Sequence, residues 1–202
     1  SIIGDALTCF GRIDAVVNNA GILRNSMFDQ MTFEQWRAVI DVHLHGTFLV
    51  SKAALPYFQA QKSGSYVHLT SAVGLVGGYT QANYAAAKAG IVGLSRTMAL
   101  ELMGLGIRSN CVAPWAFTRM LDSMTQDLPP GIPGMANFRG WGAEKIAPLV
   151  AYLASDAAAD VTNQVFGVRK NEVFLFSRPQ TIQTMAKSDG WTVKSIAEEL
   201  MP

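Results

Sequence analysis

The stretch from Leu69 to Lys88 constrains the chain most. A short strand, Tyr66 to Thr70, delivers Ser71 to a loop punctuated by Gly74, Gly77 and Gly78, and a helix then opens near Asn83 and carries Tyr84 and Lys88. Residues four apart on a helix are neighbours on one face, so this spacing sets an ammonium beside a phenol. A free tyrosine ionises at about pH 10, too high for a base at neutrality, but a nearby cation favours the phenolate. A charge roughly 4 Å away, at an effective dielectric of about 20, contributes on the order of 4 kcal/mol, or about three pKa units. Lys88 would thereby bring Tyr84 into working range, with Ser71 holding a substrate oxygen. The same spacing also arises wherever a surface lysine lies beside a half-buried tyrosine.

The surroundings of the motif narrow the choice. Ser71 lies thirteen residues before Tyr84, a Gly-rich loop separates them, and Asn18-Asn19-Ala20-Gly21 follows an earlier apolar strand. Together these resemble the short-chain dehydrogenase/reductase family, over nearly the whole chain. The resemblance implies an α/β fold with a Rossmann-like, doubly wound parallel sheet. It also implies hydride transfer between a secondary alcohol or ketone and a nicotinamide cofactor, NAD or NADP. Ser71, Tyr84 and Lys88 would be catalytic: Tyr84 takes the hydroxyl proton, Lys88 tunes it and binds the nicotinamide ribose, and Ser71 holds the oxygen. The implied cofactor contacts are Asn18, Ala20, Gly21, Tyr84, Lys88, Pro114 and Thr118. From the residues alone, Asn18 to Gly21 is equally an ordinary Asn/Gly turn.

Two positions depart from the family pattern. His43, in Asp41-Val42-His43-Leu44-His45-Gly46, stands where most members carry the Asn that completes a catalytic tetrad by holding a water. Its ring, its backbone carbonyl, or neither would serve that role, the last case being a satisfied core histidine. Trp115 replaces the Gly of the family's Pro-Gly segment, so a backbone turn that needs Gly would be strained or remodelled.

With 202 residues the chain suits one domain with a sizeable core. Only 15% of its residues are charged and half are hydrophobic, so part of its surface is expected to be covered, by a second copy of the chain or by a further part of the fold. The net charge of +1 gives no electrostatic ground for nucleic acid or an anionic membrane as partner. Two cysteines make no disulfide framework and point to a reducing compartment, cytoplasmic or, in a eukaryote, peroxisomal. Three scattered histidines form no metal-ligand pattern. The apolar runs, such as Ile146 to Ala154, are shorter than the roughly 20 residues of a spanning helix.

In chain order, Ser1 to Phe10 reads as a helix stopped by Gly11, and Ile13 to Val17 as a buried parallel strand. Thr32 to Gln35 fits a capping box. The helix behind it presents Trp36, Val39, Ile40, His43, Leu44, Thr47 and Phe48 as one inward stripe. The Tyr84 helix is rich in Ala and Gly, runs to about Met103 and is ended by Gly104 and Gly106; Ile107 to Ala113 is the next strand. Residues 119–141, with several Met, Pro and Gly, correspond to the family's lid over a substrate. Glu144 to Ser155 reads as a helix, Asn163 to Val168 and Glu172 to Phe176 as strands. Residues 170–202 form a C-terminal extension with a helix from Thr192 whose Val193, Ile196, Ala197 and Leu200 share a face.

None of the 18 glycines makes the family's Thr-Gly-x-x-x-Gly-x-Gly turn. By the resemblance, the chain corresponds to the C-terminal portion of the fold, without the Gly-rich turn and the strand that selects NAD or NADP. Val42-His43-Leu44, Asn19 to Arg24, Pro114 to Met120 and Ala147 to Val150 are further similar to the (3R)-hydroxyacyl-CoA dehydrogenase part of peroxisomal multifunctional β-oxidation enzymes and bacterial relatives. That branch implies a 3-hydroxyacyl thioester, such as an acyl-CoA, as substrate and a homo-oligomer as the working form. The alternatives are a general carbonyl or steroid reductase, and a non-catalytic binding or oligomerisation module.

Overall fold

The computed structural model of the chain describes residues 1–116 and 141–199. Thr118 and nearly all of the 119–141 segment lie outside the described residues. Helix α1, Ile2–Phe10, starts at Ser1, whose hydroxyl accepts from the Gly4 N–H, and stops at left-handed Gly11. Strand β1 is Ala15–Asn18, later by two residues than the apolar run alone indicates, because Ile13 is spent in the core beneath α1.

The capping box forms: the Gln35 N–H donates to Thr32 Oγ1 and the Thr32 N–H to Gln35 Oε1. Helix α2, Phe33–Ile40, passes into a π-helical turn, Asp41–His45, and then into α3, Gly46–Gln61. The π turn places an extra residue in the spiral. The inward series therefore runs Val39, His43, Thr47, Ser51, Ala54, Phe58, and Phe48, expected inside, is 48% exposed.

Strand β2 is Gly64–Leu69, followed by the short α4, Val73–Val76, and by α5, Ala82–Leu102. Strand β3, Ile107–Trp115, continues past Ala113. Helix α6, Ala147–Ala154, has Pro148 in its first turn, where a missing N–H costs nothing. A hairpin of β4, Val165–Arg169, and β5, Glu172–Leu175, precedes α7, Val193–Glu199. The expected apolar face of α7 is not buried: Val193 is 87% exposed and Ile196 40%, and the helix contributes nothing to the core clusters.

The sheet order is β1-β2-β3-β4-β5, with the first four strands parallel and β5 antiparallel at the edge. On one face Tyr66 and Ile107 pack with Ile3 of α1, Ala54 and Phe58 of α3 and Leu102 of α5. On the other, Val67, Leu69, Val112 and Val168 pack with Leu153 of α6. Helices thus cover both faces of a Rossmann-like parallel sheet. No helix among the described residues is long and apolar enough to cross a membrane.

A polar stripe crosses the α3/α5 face. The Asn18 amide donates to Ser51 Oγ and to His68 Nδ1, both at 3.0 Å; His68 Nε2 lies 3.2 Å from Ser109 Oγ, and Ser109 lies 2.8 Å from Ser95 Oγ. Burial pushes the His68 pKa down to about 4, so the ring is neutral at pH 7. Nδ1 accepts from Asn18, and the proton sits on Nε2 facing Ser109. Buried polar groups are tolerated when each finds a partner, and here the stripe ties three strands to two helices.

Gly106 turns the chain into β3 at φ 71°, and a Cβ there would lie 2.4 Å from the Lys62 carbonyl oxygen. Gly106 directly precedes Ile107, which pairs with Gly64, and Lys62 caps α3 two residues before Gly64, so neither backbone yields cheaply. Gly106→Ala is expected to cost about 2–3 kcal/mol. Thermal unfolding of the variant should begin roughly 5–10 °C below that of the parent.

Candidate active site

Helix α5 lies back across β3, with Ser95 against Ser109 and Ile91 and Val92 against Cys111. Its first turns therefore stand over the carboxyl ends of the strands, where Ser71 leaves β2. In open α/β sheets ligands bind outside these ends. The fold brings together there four of the residues singled out in the sequence. The Ser71 side chain lies close enough to Tyr84 to lower its proton affinity. The Lys88 ammonium is 5.5 Å from the Tyr84 ring centroid. The His43 ring stands edge-on to Tyr84 at 5.2 Å between centroids.

The protonation of the cluster differs from what spacing alone indicates. Burial raises the Tyr84 pKa above 10, and the nearby Ser71 side chain only partly offsets this. Lys88 is 5% exposed, and its ammonium donates to the Leu69 carbonyl oxygen. Burial pushes its pKa down to about 8. The lysine remains charged at pH 7, but the low-dielectric surroundings that disfavour its charge also disfavour a phenolate. Burial, with the Lys88 charge second, takes His43 down to about 4, so its imidazole is neutral.

His43 is placed by the π turn and is 1% exposed. Its Nε2 lies 3.0 Å from the Ile22 nitrogen and 2.8 Å from the Ile22 oxygen, so either tautomer bonds to Ile22. Its carbonyl accepts from the Gly46 N–H. Nδ1 is buried with no partner among the described residues. A Cβ on Gly21 would come within 2.5 Å of the ring, so the glycine is what lets the turn after β1 close over His43.

The remaining predicted contacts divide. Ala20 is exposed and Gly21 half-exposed in that turn, and Pro114 is half-buried in β3 opposite Val168. Both amide hydrogens of Asn18 are committed, to Ser51 of α3 and to His68 of β2. Thr118 lies outside the described residues. Trp115 meets no glycine-requiring turn, because the backbone there is extended and paired with Arg169.

Three contributors went unread in the sequence. The Leu69 carbonyl anchors Lys88, and Ile22 anchors His43; backbone groups carry no residue-type signal. Asn83, fully buried, donates to the carbonyls of Arg24 and Gln35 at 2.9 and 3.1 Å. It pins the loop after β1 and the first turn of α2 to the first turn of α5, beside Tyr84.

Comparisons with known proteins identify the family. The family profile described as enoyl-(acyl carrier protein) reductase matches residues 1–169. The chain is 44% identical over 165 residues to the peroxisomal hydratase-dehydrogenase-epimerase of Saccharomyces cerevisiae, covering 82% of this chain and 17% of that protein. It is 42% identical over 164 residues to the 3-oxoacyl-[acyl-carrier-protein] reductase FabG of Thermotoga maritima, covering 79% of this chain and 65% of that one. A short-chain dehydrogenase from Mycobacterium avium, known as a crystal structure, superposes with a TM-score of 0.84 at 32% identity, over 98% of this chain and 67% of its own. The chain thus spans about two thirds of the length of the reductase and of the crystallised dehydrogenase, and 17% of the yeast protein. It belongs to the short-chain dehydrogenase/reductase family.

Proposed function

We propose that the protein carrying this chain is an NAD- or NADP-dependent oxidoreductase that interconverts a secondary alcohol and a ketone, with a 3-hydroxyacyl/3-oxoacyl thioester as substrate. The observation that carries the reading is a buried Tyr84 that the Ser71 side chain acts on, with the Lys88 ammonium 5.5 Å from the Tyr84 ring centroid. The thioester is supported by the relatives, one named as a hydratase-dehydrogenase-epimerase and another as a 3-oxoacyl-[acyl-carrier-protein] reductase.

The residues present suit a nicotinamide nucleotide. The turn at Ala20 and Gly21 opens at the carboxyl end of β1, and a Lys ammonium and a Tyr hydroxyl can meet ribose hydroxyls beside it. Ala20, Gly21, Tyr84, Lys88 and Pro114 would hold it, with Thr118 a further contact. The bound nucleotide supplies or accepts the hydride at the substrate carbon. The Ser71 hydroxyl holds the substrate oxygen, and the Tyr84 hydroxyl gives or takes the proton there. With its pKa raised, Tyr84 rests protonated at neutral pH, ready to donate to an oxygen that gains charge as a ketone is reduced. Lys88 supplies positive charge that stabilises the tyrosinate left behind. His43 acts as a positioning residue: it fixes the turn through Ile22 and keeps Nδ1 available for a water that would link the cluster to solvent.

Exposed apolar residues on α3 and at the end of α5, Phe48, Leu49, Leu100 and Met103, support a second copy of the chain as partner.

Tyr84→Phe removes the proton carrier while conserving shape. It should lower kcat/KM for a 3-oxoacyl thioester by about a thousandfold or more, with a circular dichroism spectrum like the parent's. Activity within tenfold of the parent would rule out the assigned role.

Lys88 gives a test without turnover. Its folded pKa, about 8, lies below its ordinary 10.5. Between these values the unfolded chain binds more protons than the folded one, so stability rises with pH. At pH 7 the burial cost is fully present. Lys88→Met lacks this titration, so the parent should gain on the order of 2 kcal/mol relative to the variant between about pH 7 and 10. Denaturant unfolding at the two pH values measures it, and a pH-independent difference would contradict a buried lysine of this kind.

A further inference from the structure

We propose that Trp115, backed by Phe174 and Phe176, is the wall against which the apolar part of the substrate lies, and that it sets the preference for chain length. This rests on the oxidoreductase reading above.

Alternation along β3 fixes the face. Ser109 and Cys111 point to α5, so Ala113 and Trp115 do also. The level follows from the same pairs. Ser95 meets Ser109 and Ile91 meets Cys111; each four-residue step back along α5 covers about 6 Å, close to the rise of two strand residues. Continued by the same steps, Tyr84 stands near the height of Trp115. The β2–β3 register agrees, since Leu69 pairs with Val112 and two residues further set Ser71 level with Pro114. Trp115 therefore flanks the Ser71 and Tyr84 hydroxyls on the side of β4, away from β1.

The hairpin at the sheet edge supports the indole. Gly167, opposite Phe174 in the register, has no Cβ; one there would lie 2.3 Å from the Phe174 ring. Its absence lets Phe174 lie across the sheet to within 5.5 Å of the Trp115 ring, between centroids. Phe176 stacks on the indole at 6.1 Å and 18°. The nearby guanidinium, Arg169, is held over Phe174 and bonded to Glu172, so it serves its own hairpin. Trp115 is not part of the three core clusters, which close without it. A large ring, half-buried at the strand ends and outside the core, presents hydrocarbon to what binds beside Tyr84. An acyl or alkyl chain is the group that gains from it.

The test is a chain-length series on the protein that carries this chain: 3-hydroxyacyl-CoA thioesters from butanoyl to dodecanoyl, and alcohols from butan-2-ol to decan-2-ol. In the parent, each added methylene laid on the wall should raise kcat/KM by about two- to fourfold. Trp115→Ala should at least halve the logarithmic slope, through KM with kcat kept, and change the shortest member by less than about twofold. Trp115→Phe should restore most of the slope. If the alanine variant does not fold, Trp115→Gln, which keeps side-chain bulk but replaces the apolar face with an amide, should lower the slope in the same way. An unchanged slope, or an equal loss for every member, overturns the wall while leaving the oxidoreductase reading standing. Turnover of neither series by the parent defeats that reading and the wall with it.

Discussion

The arrangement at the strand ends turns on one buried ammonium. Lys88 is almost fully enclosed, and its hydrogen-bond acceptor is a neutral backbone carbonyl, that of Leu69. Desolvating a cation without a carboxylate is costly, and the depressed pKa of about 8 records that cost. The His43 and Cys111 side chains near it carry no charge of their own. His43 is neutral, its pKa held down by burial and by Lys88. Burial keeps the Cys111 thiol protonated, with a pKa near 11. The hydroxyl of Thr70 donates to the Lys88 carbonyl, tying the end of β2 to the same turn of α5. A charge kept at such expense beside a tyrosine fits a chemical task better than a structural one.

The sheet beneath supplies rigidity by a different means. Its polar stripe, from Ser51 through Asn18, His68 and Ser109 to Ser95, pairs donors with acceptors across three strands. The cluster above it is open in comparison, with His43 Nδ1 buried and unpartnered among the described residues. A satisfied network under an unsatisfied one is the expected division between a scaffold and a site that binds something. The π turn joins the two, since it sends His43 toward Tyr84 while Ser51, further along the same helical run, reaches Asn18.

The sequence made the local geometry legible and left the tertiary geometry hidden. Tyr84 and Lys88 share a helix face, and the Thr32–Gln35 box caps a helix, because both follow from spacing along one element. The helical stripe was followed correctly as far as Thr47. It failed at Phe48, because no residue type announces a π turn. Trp115 looked like a misfit in a glycine turn; the chain instead prolongs β3, and the room for the rings comes from Gly167 on another strand. Nothing in the turn around Asn18 shows that its amide is used by partners 33 and 50 residues away. The proton affinity of Tyr84 also escaped the sequence: spacing gives the distance to a cation, whereas burial gives the dielectric, and here burial dominates.

The central claim is that Ser71, Tyr84 and Lys88 form one buried electrostatic unit in which Tyr84 holds its proton until the substrate oxygen demands it. The most direct measurement is a pH titration of the Tyr84 ring carbon by NMR in tyrosine-labelled, folded protein, assigned with Tyr84→Phe and repeated in Ser71→Ala. The account predicts a midpoint above 10 for the parent, moving higher when the Ser71 hydroxyl is removed. A midpoint below 10, or one indifferent to Ser71→Ala, would contradict it.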